Sequence, residues 1–408
     1  MWIISRVLIG IVVLSLLEYY FTKKLNGIFK ILYPGYSSKK KSWLFFVFLA
    51  MLNLYPAILI FNAVYAALTK ESVAFPQNIY ADYFLLYPFW ILILIILQVS
   101  VLFVFIDLPL SIWALIRRNK KDQLNRIKIK IFLALIIFFS IYVPARVIYD
   151  YHSVDITQIN YNKKDLPKDL DGFKIAFISD VQADRYTDEK RLQKYIDQIN
   201  GQKPDLVLIA GDVITSSPEY IKTAGIYIGK IKSVFGTFSC VGDHDNWAYR
   251  KDFVRSLREV KSSLSENNVR MLDNDLHYIS LDSSTIGVSF ITHNYVTNIS
   301  AVTLRNISAS NNADFKIFLT HQPQKFLIDQ SVKDNYDLFL AGHTHGGQIT
   351  LLFPFIQLTP TLFETPYIKG EFRFKHTLAV ICGGLGMSLA PVRYNSTPEI
   401  IFITLKRN

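Results

Sequence analysis

The sequence predicts an N-terminal α-helical transmembrane region of four spans followed by an α/β domain built from βαβ units. Three observations carry this prediction. Long apolar runs recur through residues 1–149, the composition turns to that of a soluble domain at about Asp150, and short apolar strands then alternate with helical patterns. The boundary expected from them separates a membrane region, 1–149, from a soluble domain, 150–408.

The four runs are 2–21, 43–68, 83–106 with an apolar continuation to about Ile116, and 131–147. Each is near the length that crosses a hydrocarbon core. Asp107 and Pro109 interrupt the third, so a kink or an interfacial segment is expected there. Trp43, Tyr83 and Tyr142 stand near run ends, as in an interfacial aromatic belt. The first run has no small-residue cleavage site after it, and three more runs follow, so it reads as an uncleaved span. Lys23, Lys24, Lys30, Lys39, Lys40 and Lys41 occupy the first loop without an acid. Arg117, Arg118, Lys120, Lys121, Arg126, Lys128 and Lys130 face only Asp122 in the third. The positive-inside rule makes both loops cytoplasmic and puts everything after the fourth span on the extracytoplasmic side of the cytoplasmic membrane.

Hydrophobic residues make up 51% of the chain and charged residues 19%, a skew that belongs to this region. So does the basicity. The formal net charge of +11 divides into +10 over residues 1–150 and +1 over the rest, where 28 Lys and Arg stand against 27 Asp and Glu. A nucleic-acid footprint would lie on the folded domain, so no nucleic-acid partner is expected; the bilayer is. Cys240 and Cys382 lack C-x-x-C spacing and sit in apolar runs, which marks them as small core residues.

In the second half, 173–179, 205–210 and 237–241 read as strands, with helical patterns at 188–200 and about 218–232 between them. This order argues for a parallel sheet. Residues 270–291, with turns at 273–275 and 282–284, suggest a second sheet. Five strands end in polar residues: Asp180-Val181-Gln182, Gly211-Asp212, Gly242-Asp243-His244-Asp245-Asn246, Thr320-His321-Gln322, and Gly342-His343-Thr344-His345. Strand ends lying side by side converge in one crevice, where ligands of open α/β sheets bind. A single strand-end Asp is as readily a helix cap, but five such ends are not. Carboxylates and imidazoles without thiolates suit first-row divalent ions, and a pair of ions can clamp an in-line phosphoryl displacement.

The order and spacing resemble the calcineurin-like metallophosphoesterase superfamily, with its D-x-H, G-D, G-N-H-D/E, H and G-H-x-H motifs, over about residues 172–406. Gly346-Gly347-Gln348-Ile349, Gly383-Gly384-Leu385-Gly386, Pro391-Val392-Arg393 and Pro398-Glu399-Ile400 are similar to blocks of its bacterial membrane-associated branch. The resemblance implies a β-sandwich flanked by helices and a metal-dependent phosphodiesterase or phosphatase. It implies that Asp180 and His345 hold a first metal with Gln182, that Asp212 bridges, and that Asp243, His321 and His343 hold a second. His244 would assist at the phosphoryl group or the leaving oxygen, Asp245 would orient His244, Arg393 would bind substrate phosphate, and a metal-bound hydroxide would be the nucleophile.

Two positions depart from the pattern. Gln182 replaces the first motif's His, and Asp243 replaces the third motif's Asn. An amide oxygen is a harder ligand than imidazole, so Mn is favoured among two divalent ions, with Fe, Zn or Mg as alternatives. A tethered extracytoplasmic site meets lipids and envelope sugars, and the apolar stretch 351–356 after the last motif suits a lipid-linked phosphoester. Competing readings are a catalytically weak metal-binding sensor and a protein that recruits envelope partners.

Overall fold

The computed structural model describes residues 2–33, 38–69, 77–249, 252–353 and 356–408. Its contacts divide the chain into a helical unit, Met1–Ile148 with Leu351–Ile356, and a second unit, Tyr149–Thr350 with Gln357–Asn408.

The helical unit comprises α1 (Trp2–Leu32), α2 (Ser38–Thr69), α3 (Ile79–Ala81), which runs through a π-helical turn into α4 (Tyr87–Ile116), and α5 (Lys121–His152). Among the described residues three helical stretches are long and apolar enough to cross a membrane, centred on Phe45–Asn62, Ile79–Ile116 and Arg118–His152. Three of the four expected spans, 43–68, 83–106 and 131–147, fall in these stretches. The first expected span lies in α1, where the side chains of residues 1–11 fall outside the description and the remainder carries Glu18, Lys23 and Lys24. Residues 70–76 of the second loop also lie outside it. α4 carries Pro109 inside it and continues as helix to Ile116.

A buried glutamine in α4 binds the apolar stretch into this unit. Gln98 Nε2 donates to the Leu352 carbonyl at 2.7 Å and Leu352 N–H donates to Gln98 Oε1 at 2.6 Å. The Phe353 ring packs at 5.3 Å from Phe105. Pro354 and Phe355 lie outside the described residues. One side chain thus satisfies both backbone groups of a residue that has no strand partner there.

The second unit is a sandwich. Its strands are β1 (Asp155–Lys163), β2 (Lys174–Ile178), β3 (Leu206–Ile209), β4 (Thr237–Ser239), β5 (Val269–Met271), β6 (Asp275–Ser280), β7 (Thr285–Ile291), β8 (Phe315–Thr320), β9 (Leu338–Ala341), β10 (Gly370–Phe374), β11 (Thr377–Ile381) and β12 (Glu399–Arg407). The first sheet has the order β1-β12-β2-β3-β4-β5 and the second β10-β11-β9-β8-β7-β6. Neighbours β2 to β5 are parallel, as are β11, β9, β8 and β7. Within each sheet the polar strand ends therefore emerge along one edge.

Both sheets are buried on both faces, which explains the unbroken apolar runs. On β2, Ile175 and Phe177 point into the core between the sheets with Phe290, Ile317 and Leu340. Ala176 and Ile178 point the other way, against α6 (Glu189–Gly201), α7 (Ile221–Ile228) and α8 (Phe253–Glu266) through Leu192, Ile228 and Leu264. The far face of the second sheet packs against α9 (Ala301–Ser310) and α10 (Lys325–Lys333) through Leu304, Leu327 and Ile328. Asp188 caps α6 by accepting from Arg191 N–H. The helix expected over 218–232 is shorter, a 3-10 turn and then α7, which ends at the cap residue Gly229. Cys240 and Cys382 are buried and unpaired in the central core.

Candidate metal centre

The turns after β2, β3, β4, β8 and β9 bring the predicted ligands together. His343 Nδ1 lies 3.0 Å from Asp243 Oδ2 and 3.3 Å from His321 Nε2. His321 Nε2 lies 3.3 Å from both Asp212 Oδ2 and Asp243 Oδ2. His345 Nε2 lies 3.5 Å from Asp180 Oδ1. Among the described residues two groups have donor atoms within 4.8 Å of one another: Asp243, His321 and His343, and Asp180, Asp212 and His321. With bonds of about 2.1 Å, ligand atoms on adjacent corners of a tetrahedral or octahedral ion sit about 3.0 to 3.4 Å apart. The observed separations match.

The local backbone is strained to achieve this. Asp180, Gln182, Asp212, His343 and His345 all have φ between 48° and 72°. Left-handed non-glycine residues cost on the order of 1–3 kcal/mol each and cluster where function requires them. The glycine before Asp243 has a separate reason. A Cβ on Gly242 would lie 2.1 Å from Asp212 Oδ1, so only glycine lets the third turn pass the second.

The electrostatics call for positive charge. Asp180, Asp212, Asp243 and Asp245 are all buried. Burial pushes Asp180 up, only partly offset by His321. Burial also opposes Asp212, but His321 and His244 outweigh it and hold that carboxyl below its usual range. Burial would lower His321, yet the Asp212 and Asp243 carboxylates hold it well above the ordinary imidazole range. His345 is driven well below its range by burial and by Arg393, which leaves it neutral, as a ligand must be. Gln182 Nε2 donates to Asp212 Oδ2 at 2.9 Å, while its buried Oε1 has no hydrogen-bond partner. An orphaned amide oxygen beside carboxylates fits a hard divalent cation.

His244 hangs over this cluster. Its backbone N–H donates to Asp212 Oδ1 at 2.8 Å, its Nδ1 bonds the Thr215 carbonyl, and its Nε2 faces Ser388 Oγ at 3.2 Å. The Trp247 ring flanks it at 4.6 Å. Two predicted roles require correction. Asp245 does not orient His244: its oxygens accept from the N–H groups of Asp212, Val213 and Gly242 at 3.0, 2.9 and 2.8 Å. It braces the ligand turns, and Thr215 orients the histidine. Arg393 does not face substrate. It is wholly buried and donates to the carbonyls of Gly383, His345, Gly386 and Ser396, which leaves its fork committed to backbone.

Several residues that sequence reasoning passed over complete the second group. Gln322 Nε2 donates to both Asp243 oxygens, at 3.1 and 2.9 Å. Tyr295 N–H donates to Asp243 Oδ1 at 2.7 Å, and its hydroxyl donates to Glu364. Glu364 Oε1 lies 3.2 Å from His343 Nε2, on the side of the ring away from Asp243. Gln322 was visible as the neighbour of His321; Glu364 stands in irregular chain after the last motif, where no spacing announces it.

Residues 173–347 match the family model described as calcineurin-like phosphoesterase. The metallophosphoesterase YkuE of Bacillus subtilis is 30% identical over 258 residues, covering 62% of this chain and 86% of that protein. The metallophosphoesterase Cj0846 of Campylobacter jejuni is 26% identical over 296 residues, 71% of this chain and 73% of its own. A protein of Danio rerio named transmembrane protein with metallophosphoesterase domain is 26% identical over 253 residues, 59% of this chain and 55% of its own. With both candidate groups on strand ends inside the matched span, the chain belongs to the calcineurin-like metallophosphoesterase family, hydrolases of phosphoesters that depend on divalent metal.

Proposed function

We infer that the chain is a membrane-anchored phosphodiesterase that holds two divalent ions and acts on an envelope or lipid-linked phosphoester. The observation that carries this is the cluster of Asp212, Asp243, His321 and His343 donor atoms at 3.0 to 3.3 Å. Asp180, Gln182 and His345 would hold one ion, Asp243, His321 and His343 the other, and Asp212 both. The bound ions would supply Lewis-acid charge and activate water. Gln182, with a free amide oxygen where imidazole is usual, favours Mn over softer ions.

The chain's own residues handle the leaving group. A carbonyl only accepts, so the bond to Thr215 places a proton on His244 Nδ1, and the imidazolium form, with a second proton on Nε2, would deliver that second proton to the leaving oxygen and return to the neutral ring. Ser388 and Trp247 hold the ring in place.

The lipid-linked reading rests on what surrounds these residues. Phe363, next to Glu364, is 81% exposed, and Leu389, next to Ser388, is 98% exposed with φ 63°. A fully exposed leucine held in the left-handed region is anomalous for a water-facing loop. The stretch Leu351–Ile356, which closely follows His345, belongs to the helical unit. With α1 counted as a crossing, the basic first and third loops favour an extracytoplasmic catalytic unit in the cytoplasmic membrane.

The test is hydrolysis of a chromogenic aryl phosphodiester by the full chain in mild detergent with Mn. Activity lost in both Asp212→Ala and His244→Ala is expected. Two ions bound without turnover of any phosphoester would instead favour a metal-binding sensor.

A further inference from the structure

In the helical unit, α1, α4 and α5 line an open-sided cavity of about 300 Å³. Lys23, Lys24, Lys128, Asn125 and Asp107 supply its polar lining. Lys24 Nζ lies 2.6 Å from Asp107 Oδ2, and Lys128 Nζ lies 3.3 Å from Asp107 Oδ1. Tyr20 also donates to Asp107, at 3.2 Å, and Lys128 donates to Ser111 Oγ at 2.6 Å. One carboxylate therefore meets two ammonium groups, with a third on the exposed Lys23 at the rim.

Neutralising Asp107 requires one lysine. The Lys24 and Lys128 side chains are 32% and 13% exposed, so both are partly desolvated, and holding a surplus cation there is costly unless an anion answers it. The remaining walls are hydrocarbon, from Ile28, Ile31, Phe103 and Ile129. A cationic head next to an apolar wall matches an amphiphile with an anionic head. Lys24 follows the apolar run of α1, Asp107 interrupts that of α4, and Lys128 precedes that of α5, so all three stand at one end of the bundle, at headgroup depth. We propose that this cavity binds the phosphate head of an anionic phospholipid, with the acyl chain along Ile28, Ile31 and Ile129. The site is separate from the phosphoesterase centre and independent of what that centre hydrolyses.

The test uses the full chain in nanodiscs of phosphatidylcholine with or without phosphatidylglycerol, with lipid retention after mild extraction read by native mass spectrometry. The wild-type chain is expected to retain phosphatidylglycerol in preference to phosphatidylcholine. Lys23→Gln, which leaves Asp107 paired, lowers that retention about five-fold if each lysine contributes as at a membrane surface. Asp107→Asn frees two lysines and raises it. Lys24→Gln with Asp107→Asn removes a cation without stranding a buried carboxylate and falls below Asp107→Asn alone. Turnover of the soluble aryl diester by Lys23→Gln stays at the wild-type level, which separates this site from the catalytic reading. Equal retention of both lipids by the wild type would overturn the proposal. So would a loss of retention in Asp107→Asn, or displacement of the lipid by millimolar inorganic phosphate, which would make free phosphate the ligand.

Discussion

Among single residues, the second ligand group depends on a carboxylate that has no place in the recognisable motifs. Glu364 takes the Nε2 side of His343, so the Nδ1 lone pair is turned toward Asp243 and His321. Outer partners of ligating histidines typically contribute 10- to 100-fold in metal affinity. Glu364→Ala is therefore expected to weaken the second Mn by about that factor. Glu364→Gln, which keeps an acceptor, should restore most of it. Mn titration of the full chain decides this, and unchanged binding in the alanine variant would remove Glu364 from the site. Asp245 makes a different prediction. Each of its oxygens accepts backbone N–H groups, and Asn would turn its NH₂ group toward a donor. Asp245→Asn should cost about 1–3 kcal/mol of stability through the unsatisfied group. The shift in thermal midpoint tests it; a variant of full stability that lost only activity would return Asp245 to the histidine-orienting role. Neither residue could be assigned from its spacing. Asp245 was legible as part of the cluster, but its direction depends on the fold of the neighbouring turns.

At the level of elements, parallel strands buried on both faces deliver five turns to one place, and the close passage of those turns makes glycine obligatory. Gly242→Ala would drive a methyl carbon to 2.1 Å from the Asp212 oxygen. Its expected outcome is loss of tight binding of both ions, since Asp212 contacts residues of both groups, with the secondary structure retained. Metal content after dialysis, alongside circular dichroism, checks it; retention of two ions would show that the turns can separate. The strands and their polar ends were legible because each ligand follows directly on an apolar run, a short-range pattern. The helices were less so. The one expected over 218–232 stops at Ile228, and at its cap residue Gly229 a Cβ would lie 2.6 Å from Asn267, so the close packing there requires glycine.

In the whole molecule, the apolar stretch after the last motif leaves the sandwich unit and is counted with the helices, held by Gln98. Gln98→Leu strands both backbone groups of Leu352 and should lower stability of the detergent-solubilised chain by about 1–3 kcal/mol. No change in its thermal unfolding would show those groups hydrated. Phe363→Ser with Leu389→Ser should leave kcat/KM for a soluble aryl diester unchanged and lower turnover of a phosphodiester presented in vesicles; equal effects on both substrates would count against the lipid reading. By itself the sequence determined the family, the polar strand ends that offer candidate ligands and the apolar runs, because each is written in residues adjacent along the chain. Only the tertiary structure decided that Arg393 is a buried brace, that Thr215 and not Asp245 orients His244, that Glu364 backs His343, and that residues 351–356 join the helices. Those facts depend on which distant segments pack together, and packing is set by the sum of many weak contacts that no local spacing records.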